Sequence, residues 1–163
     1  MGTHLFLQFP IAPQYCASKH GLVGLTRSVG EKLLREDNIA VNCIMPAFVL
    51  TSLPSQTLRD AWPEEYVTPT STINRAFMEL IDEDGKVEQD RKSDGIDGAV
   101  KTAQCVEGVV DKLFYRNGVE SADESQQFLR DQAEEGGLWS FMYGGAKGVE
   151  NAMKAKEANG AAV

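Results

Sequence analysis

Two apolar stretches of different period stand back to back near the start of the chain, and together they restrict its fold more than any other feature. Over residues 14–35, Leu22, Leu25, Val29 and Leu33 recur at spacings of three and four, with Arg27, Glu31, Lys32 and Arg35 between them. This predicts an amphipathic helix that buries the leucine–valine face. Pro13 suits its first turn. Directly afterwards, NIAVNCIM (38–45) is a nearly continuous β-branched and apolar run, the pattern of a strand covered on both faces. Before the helix, LFLQF (5–9) is apolar enough for a short strand that the prolines of PIAP terminate. Strand, helix and strand in this order predict a right-handed βαβ crossover with parallel strands. Gly21, Gly24 and Gly30 each cost such a helix about 1 kcal/mol relative to alanine. Either a neighbouring element approaches closely there, or tertiary packing overrides the propensity.

The pattern continues downstream. After the loop AFVLTSLPSQ, the segment TPTSTINRAFMELID predicts a second helix over 69–82, with Thr68 as cap, Pro69 at the first helical position, and Ile73, Phe77 and Leu80 on one face. The charged, glycine-punctuated stretch 83–99 reads as a solvated loop, and its D-E-D-G lacks the ligand spacing of a calcium loop. KTAQCVEGVVDKLFYR (101–116) contains a further strand, expected near 101–110. S-A-D-E (121–124) has the form of a capping box opening a polar helix, after which the chain becomes alanine-rich. GGAKG (144–148) lacks phosphate-loop spacing and reads as a flexible joint.

Charge narrows the functional classes. The net charge is −8, yet Lys19, Arg27, Lys32 and Arg35 outnumber the acids among residues 1–46, so the acidic excess lies in 47–163. With no basic stripe carrying interleaved aromatics, nucleic acid is a poor partner. No apolar run approaches the length of about 18 residues that a membrane span needs. Cys16, Cys43 and Cys105 are odd in number and widely spaced, which argues against a disulfide framework and for a reducing, cytoplasmic setting. His4 and His20 have no carboxylate or thiol at ligand spacing, so no metal site is expected.

The chemically suggestive pair is Tyr15 and Lys19. At i and i+4 on the predicted helix they share a face. A phenol in water titrates near about pH 10, too high for a good acid or base at neutrality, and an ammonium about 4 Å away favours the phenolate by about 4 kcal/mol before desolvation offsets it. The spacing by itself is equally compatible with an ordinary surface contact.

The surroundings of the pair add to it. YCASKHGLVGLTRS, followed by VNCIMP and then A-F-V-L-T, resembles the second half of the short-chain dehydrogenase/reductase family, with its Y-x-A-S-K helix and its N-x-x-x-P-G-x-V-x-T strand and loop. The helix reads much as in the NAD-linked prostaglandin dehydrogenase branch. The likeness covers residues 5–54 and, more faintly, 101–106. It implies a fold of class α/β: the C-terminal half of a Rossmann-like doubly wound parallel sheet, about three strands with flanking helices, plus a helical C-terminal extension. The corresponding division is a partial dehydrogenase domain over 1–120 and a helical or partly disordered extension over 121–163.

What the resemblance implies for function follows residue by residue. Tyr15 would exchange a proton with a substrate hydroxyl or carbonyl, and Lys19 would act on the tyrosine and hold the nicotinamide ribose of NAD. Val49, Leu50 and Thr51 would contact the carboxamide end of that cofactor. The substrate would be a secondary alcohol or a ketone. Phe48, Leu50 and Leu53 would suit an apolar pocket, or belong to the core. Ala47 stands where the family has glycine and resists a positive φ.

Other family features are missing from the 163 residues. No T-G-x-x-x-G-x-G precedes Tyr15, and the position of the family's catalytic serine falls on Gly2, with Thr3 one residue out of register. The sequence therefore predicts a truncated dehydrogenase that is inactive in isolation, or else a non-catalytic module that self-associates or pairs with another subunit.

Overall fold

The computed structural model describes residues 12–82, 92–95 and 100–133, together with 137, 139, 150, 153, 154 and 157. The chain divides into two units, Met1–Asn117 and Gly118–Val163. In the first unit, helix α1 (Pro13–Asp37) leads to strand β1 (Cys43–Pro46), the short helix α2 (Gln56–Ala61), a 3-10 turn (Glu64–Tyr66), helix α3 (Thr70–Ile81), strand β2 (Cys105–Val109) and strand β3 (Lys112–Tyr115). The second unit contains helix α4 (Glu124–Ala133). Among the described residues no helix is long and apolar enough to cross a membrane.

The helix predicted at 14–35 forms, with Pro13 in its first turn, and ends where Asn38 turns left-handed at φ 56°. The Asn38 and Ile39 N–H groups then donate to the Leu34 and Leu33 carbonyls, each at 3.1 Å. Asparagine tolerates this conformation well. It therefore closes the helix instead of opening a strand, and the strand expected from 38 begins at Cys43. Residues 41–43 are nevertheless tied to the approach to β2. Val41 O accepts from Ala103 N (2.8 Å), and the Asn42 side chain donates to Lys101 O (2.6 Å) while accepting from Gln104 N (3.0 Å).

The buried face of α1 differs from the expected one. Val23, Thr26 and Gly30 are buried, Val29 and Leu33 are half-buried, and Leu22 and Leu25 are 51% and 58% exposed. The reason lies at Gly30, where a Cβ would meet Ala103 N at 2.6 Å, so the helix backbone itself rests on the segment before β2. No comparable approach exists at Gly21 or Gly24, which face open space.

The sheet has the order β1-β2-β3. β1 and β2 are parallel, with Cys43 opposite Cys105 and Ile44 opposite Val106, as a crossover connection requires. β3 is antiparallel to β2, with Val109 opposite Lys112. The expected parallel pairing of 38–45 with 101–110 is present; the antiparallel β3 is an additional strand from the same 101–116 segment, folded back as a hairpin, so the described sheet is mixed. The predicted strand 5–9 lies outside the described residues. The hairpin turn puts Val110 at φ 53°, a conformation a β-branched residue disfavours. Three contacts from the α3 region hold it: Thr68 Oγ1 accepts from Val110 N (2.9 Å), Thr72 Oγ1 donates to Val110 O (2.7 Å), and Arg75 donates to Asp111 O (2.6 Å). Thr68 is thus not the expected cap. Pro69 occupies the N-cap position of α3 without a side-chain cap bond.

Ala76 and Leu80 of α3 pack with Val106 and Leu113 against Ile44 and Tyr115, forming the apolar core on one face of the sheet. Ile73 is half-buried beside them, whereas Phe77, expected on the same buried face, is more than half exposed. Glu79 is buried at the edge of this core, where Oε2 accepts from Ser93 Oγ (2.7 Å) and from the Tyr115 hydroxyl (3.2 Å). Of the predicted loop 83–99, only 92–95 lie within the described residues; there Ser93 bridges to Leu113. In the second unit the cap is Asp123, whose Oδ1 accepts from Gln126 N (2.8 Å) while Gln126 Oε1 accepts from Ala122 N (2.5 Å). The cap thus lies two residues beyond the one expected at Ser121, and the Gln126 side chain returns to the residue before the cap, not to the cap itself as in a capping box. The joint at 144–148 lies outside the described residues.

Candidate active site at the carboxyl ends of the strands

The direction of α1 against the sheet fixes where its first turns project. Thr26 hydrogen-bonds the Cys43 thiol at the start of β1. Gly30, one turn later, meets Ala103, which pairs with Val41 upstream of that start. Forward along the helix is therefore backward along the strands. Tyr15 precedes Thr26 by about 16 Å of helix at about 1.5 Å per residue, whereas the four residues of β1 span about 10 Å. The first turns of α1 consequently reach the carboxyl ends of the strands and pass beyond them, at the end from which the loop after Pro46 departs. Open α/β sheets bind their ligands at this end.

Tyr15 and Lys19 are adjacent there. The Lys19 ammonium lies 5.5 Å from the centroid of the Tyr15 ring. Tyr15 is 54% exposed, so its phenol faces a side open to solvent. The neighbouring side chains of the same turns bond to the helix itself: Ser18 Oγ donates to Tyr15 O (2.8 Å), and His20 Nδ1 lies 2.8 Å from Cys16 O. Among the described residues no three His, Cys, Asp or Glu side chains gather as a metal site would need. His4 lies outside the described residues, as do Gly2 and Thr3.

The loop carrying Val49, Leu50 and Thr51 is anchored along its length. Ala47 N donates to Gly108 O (2.9 Å), continuing the β1–β2 pairing past the end of β1, and Phe48 O accepts from Thr68 N (2.8 Å). Thr51 N donates to Val49 O (2.9 Å), a turn of the γ type, and Thr51 Oγ1 accepts from Leu53 N (3.2 Å). Arg59 of α2 donates to Thr51 O (3.2 Å). Ala47 does not take the positive φ that its replacement of glycine brought into question. The Phe48 ring stacks on Trp62 with centroids 4.0 Å apart and planes at 14°, half-buried in the loop itself. Leu53 is 92% exposed, which removes it from the core. A cavity of about 450 Å³ lined by Ala40, Asn42, Ile44, Phe77, Leu80, Ile81 and Val100 opens beside β1. Its Ala40 and Asn42 belong to the amino end of β1, so it is not centred on the tyrosine–lysine pair.

One chemically distinctive cluster escaped the sequence reading. Cys43 and Cys105 occupy the first positions of β1 and β2 and face each other across the parallel pair. Sixty-one residues lie between them in sequence with no short motif, so only the strand register unites them.

Residues 4–62 match the family model described as short chain dehydrogenase. The chain is 32% identical over 76 residues to a D-beta-hydroxybutyrate dehydrogenase of Rhizobium meliloti (strain 1021), a match covering 47% of this chain and 29% of that protein. It is 28% identical over 103 residues to the short-chain dehydrogenase/reductase prx6 of Penicillium rubens, covering 63% of this chain and 30% of that protein. With the 15-hydroxyprostaglandin dehydrogenase (NAD(+)) of Rattus norvegicus it shares 27% identity over 117 residues, 70% of this chain and 42% of that protein. The chain thus spans well under half the length of these relatives. No solved structure matches it significantly.

Proposed function

We propose that the chain, whose residues 4–62 match the short chain dehydrogenase model, is an oxidoreductase by descent, acting on a secondary alcohol or ketone with NAD. What supports this reading is the Tyr15–Lys19 pair on one face of α1, its ammonium 5.5 Å from the centroid of the phenol ring. In this role the Tyr15 phenolate takes a proton from the substrate alcohol, or the Tyr15 hydroxyl gives one to the carbonyl, with the Lys19 ammonium beside the ring. NAD, when bound, supplies the hydride acceptor. The residues present suit its nicotinamide end: the phenol is open to solvent, and the 49–51 loop is pinned by Gly108, Thr68 and Arg59 rather than free to swing. Lys19 would hold the ribose, and Val49, Leu50 and Thr51 the carboxamide.

The 163 residues contain no T-G-x-x-x-G-x-G turn for the pyrophosphate. A chain of these residues alone therefore binds NAD weakly and turns over little or no substrate. Losing several kcal/mol of phosphate and adenine contacts weakens binding about tenfold for every 1.4 kcal/mol. Saturation-transfer NMR with millimolar NAD tests the reading. The nicotinamide protons should receive more saturation than the adenine protons, and Lys19→Met should remove the difference. Equal transfer to both rings, or micromolar affinity by calorimetry, would overturn it.

A second reading rests on the exposure of Leu22 and Leu25 on α1. This apolar stripe favours self-association, or pairing with another dehydrogenase subunit, as a role compatible with catalytic silence.

A further inference from the structure

Independently of the dehydrogenase reading, we propose that Cys43 and Cys105 form a dithiol site that reduces a hydroperoxide, with Cys43 as the attacking sulfur and Cys105 as the resolving one. Four observations meet at this point. The two residues are register partners on adjacent parallel strands, so their side chains leave the same face of the sheet. Neighbouring strands lie about 4.8 Å apart, within the separation of about 4.4–6.8 Å between Cα atoms that a disulfide accepts. Cys105 is fully buried and Cys43 half-buried, so an oxidant from solvent meets Cys43 first. Arg27 supplies positive charge at the pair and is held in place by donating to the carbonyls of Arg116 (2.8 Å) and Asn117 (3.0 Å).

The electrostatics assign the roles. The Cys105 thiol hydrogen-bonds the Cys43 sulfur; this contact, helped by the Thr26 hydroxyl and the Arg27 guanidinium and opposed by burial, draws the Cys43 thiol down to about 7. The same contact and its own burial push the Cys105 thiol up, so it keeps its proton and serves as donor. Nucleophilic cysteines sit in electropositive, partly accessible surroundings of this kind.

The chemistry balances without any other reagent. The Cys43 thiolate attacks the terminal oxygen of the hydroperoxide; an S–O bond forms as the O–O bond breaks, and the leaving alkoxide or hydroxide takes a proton from water. The Cys105 sulfur then attacks the Cys43 sulfenic acid. An S–S bond forms, the S–O bond breaks, and water departs with the Cys105 proton. The hydroperoxide gains two electrons, and two thiols become one disulfide.

The experiment uses the full chain, reduced and then freed of reductant, with one equivalent of hydrogen peroxide at pH 7. Iodoacetamide labelling followed by peptide mapping identifies the products. The expected result is a disulfide joining the Cys43 and Cys105 peptides, with the loss of two of the three thiols and Cys16 still alkylated. In 4 M urea the preference for this pair over Cys16 should disappear. Cys105→Ala should instead accumulate a Cys43 sulfenic acid that dimedone traps. Oxidation of Cys16 as fast as Cys43 in the native wild-type chain, or a wild-type product that gains oxygen without forming the 43–105 link, would overturn the proposal whether or not the variant folds.

Discussion

Gly30 of α1 and the backbone of Ala103 are in such close contact that a Cβ on Gly30 would lie 2.6 Å from the Ala103 nitrogen. Ala103 itself sits at φ 57°, so neither partner yields easily. Gly30→Ala should destabilise the fold by about 1–3 kcal/mol through overpacking. Gly24→Ala, with nothing within 4 Å of its added methyl, should stabilise it by about 0.4–1 kcal/mol by restricting the unfolded chain and improving helix propensity. Urea unfolding of the two variants checks both signs. Equal effects would show that the helix does not rest on the 103 segment.

The Val110 turn makes a second prediction. Thr68→Val removes the acceptor that satisfies Val110 N while keeping the side chain's shape. Because Thr68 is fully buried, the orphaned N–H should cost about 1–3 kcal/mol. Val110→Gly relieves the left-handed backbone instead and should cost less than a glycine in an ordinary strand. Denaturant midpoints measure both, and hydrogen exchange at Val110 should accelerate in Thr68→Val.

The acidity of Cys43 is open to a direct test. The thiolate is the reactive form, so the rate of Cys43 alkylation should rise with pH and level off above its value of about 7. An ordinary thiol continues to gain rate up to about pH 8.5. The groups facing Cys43 are Cys105 from β2 and Thr26 and Arg27 from α1. Arg27→Gln should therefore move the midpoint upward. A midpoint unchanged in that variant would show that the guanidinium does not act on the sulfur.

Salt should promote self-association. The net charge of −8 repels like chains, and screening shortens that repulsion to about 10 Å at 0.1 M salt, while the Leu22–Leu25 stripe remains attractive. Size-exclusion chromatography with light scattering should find a 17.8 kDa monomer at low salt and a larger species at moderate salt. Leu22→Glu with Leu25→Glu should keep the monomer at both. A wild-type monomer throughout would mean that the stripe is harmless.

The existence and type of α1 and α3, and a parallel crossover between β1 and β2, were legible in the sequence because they follow from side-chain period and chain connectivity, which act locally. The Tyr15–Lys19 adjacency was legible for the same reason: once a helix is granted, i and i+4 must be neighbours. The roll of α1 was not. Leu22 and Leu25 carry the periodic signal, but the closest approach is made by Gly30, whose missing side chain no hydrophobic pattern registers. Nor was the β2–β3 hairpin, because its turn has no Asn-Gly or Asp-Gly and is held by Thr68, Thr72 and Arg75 from a distant segment. The Cys43–Cys105 pair depends in the same way on strand register, which long-range hydrogen bonds decide and residue spacing along the chain does not encode.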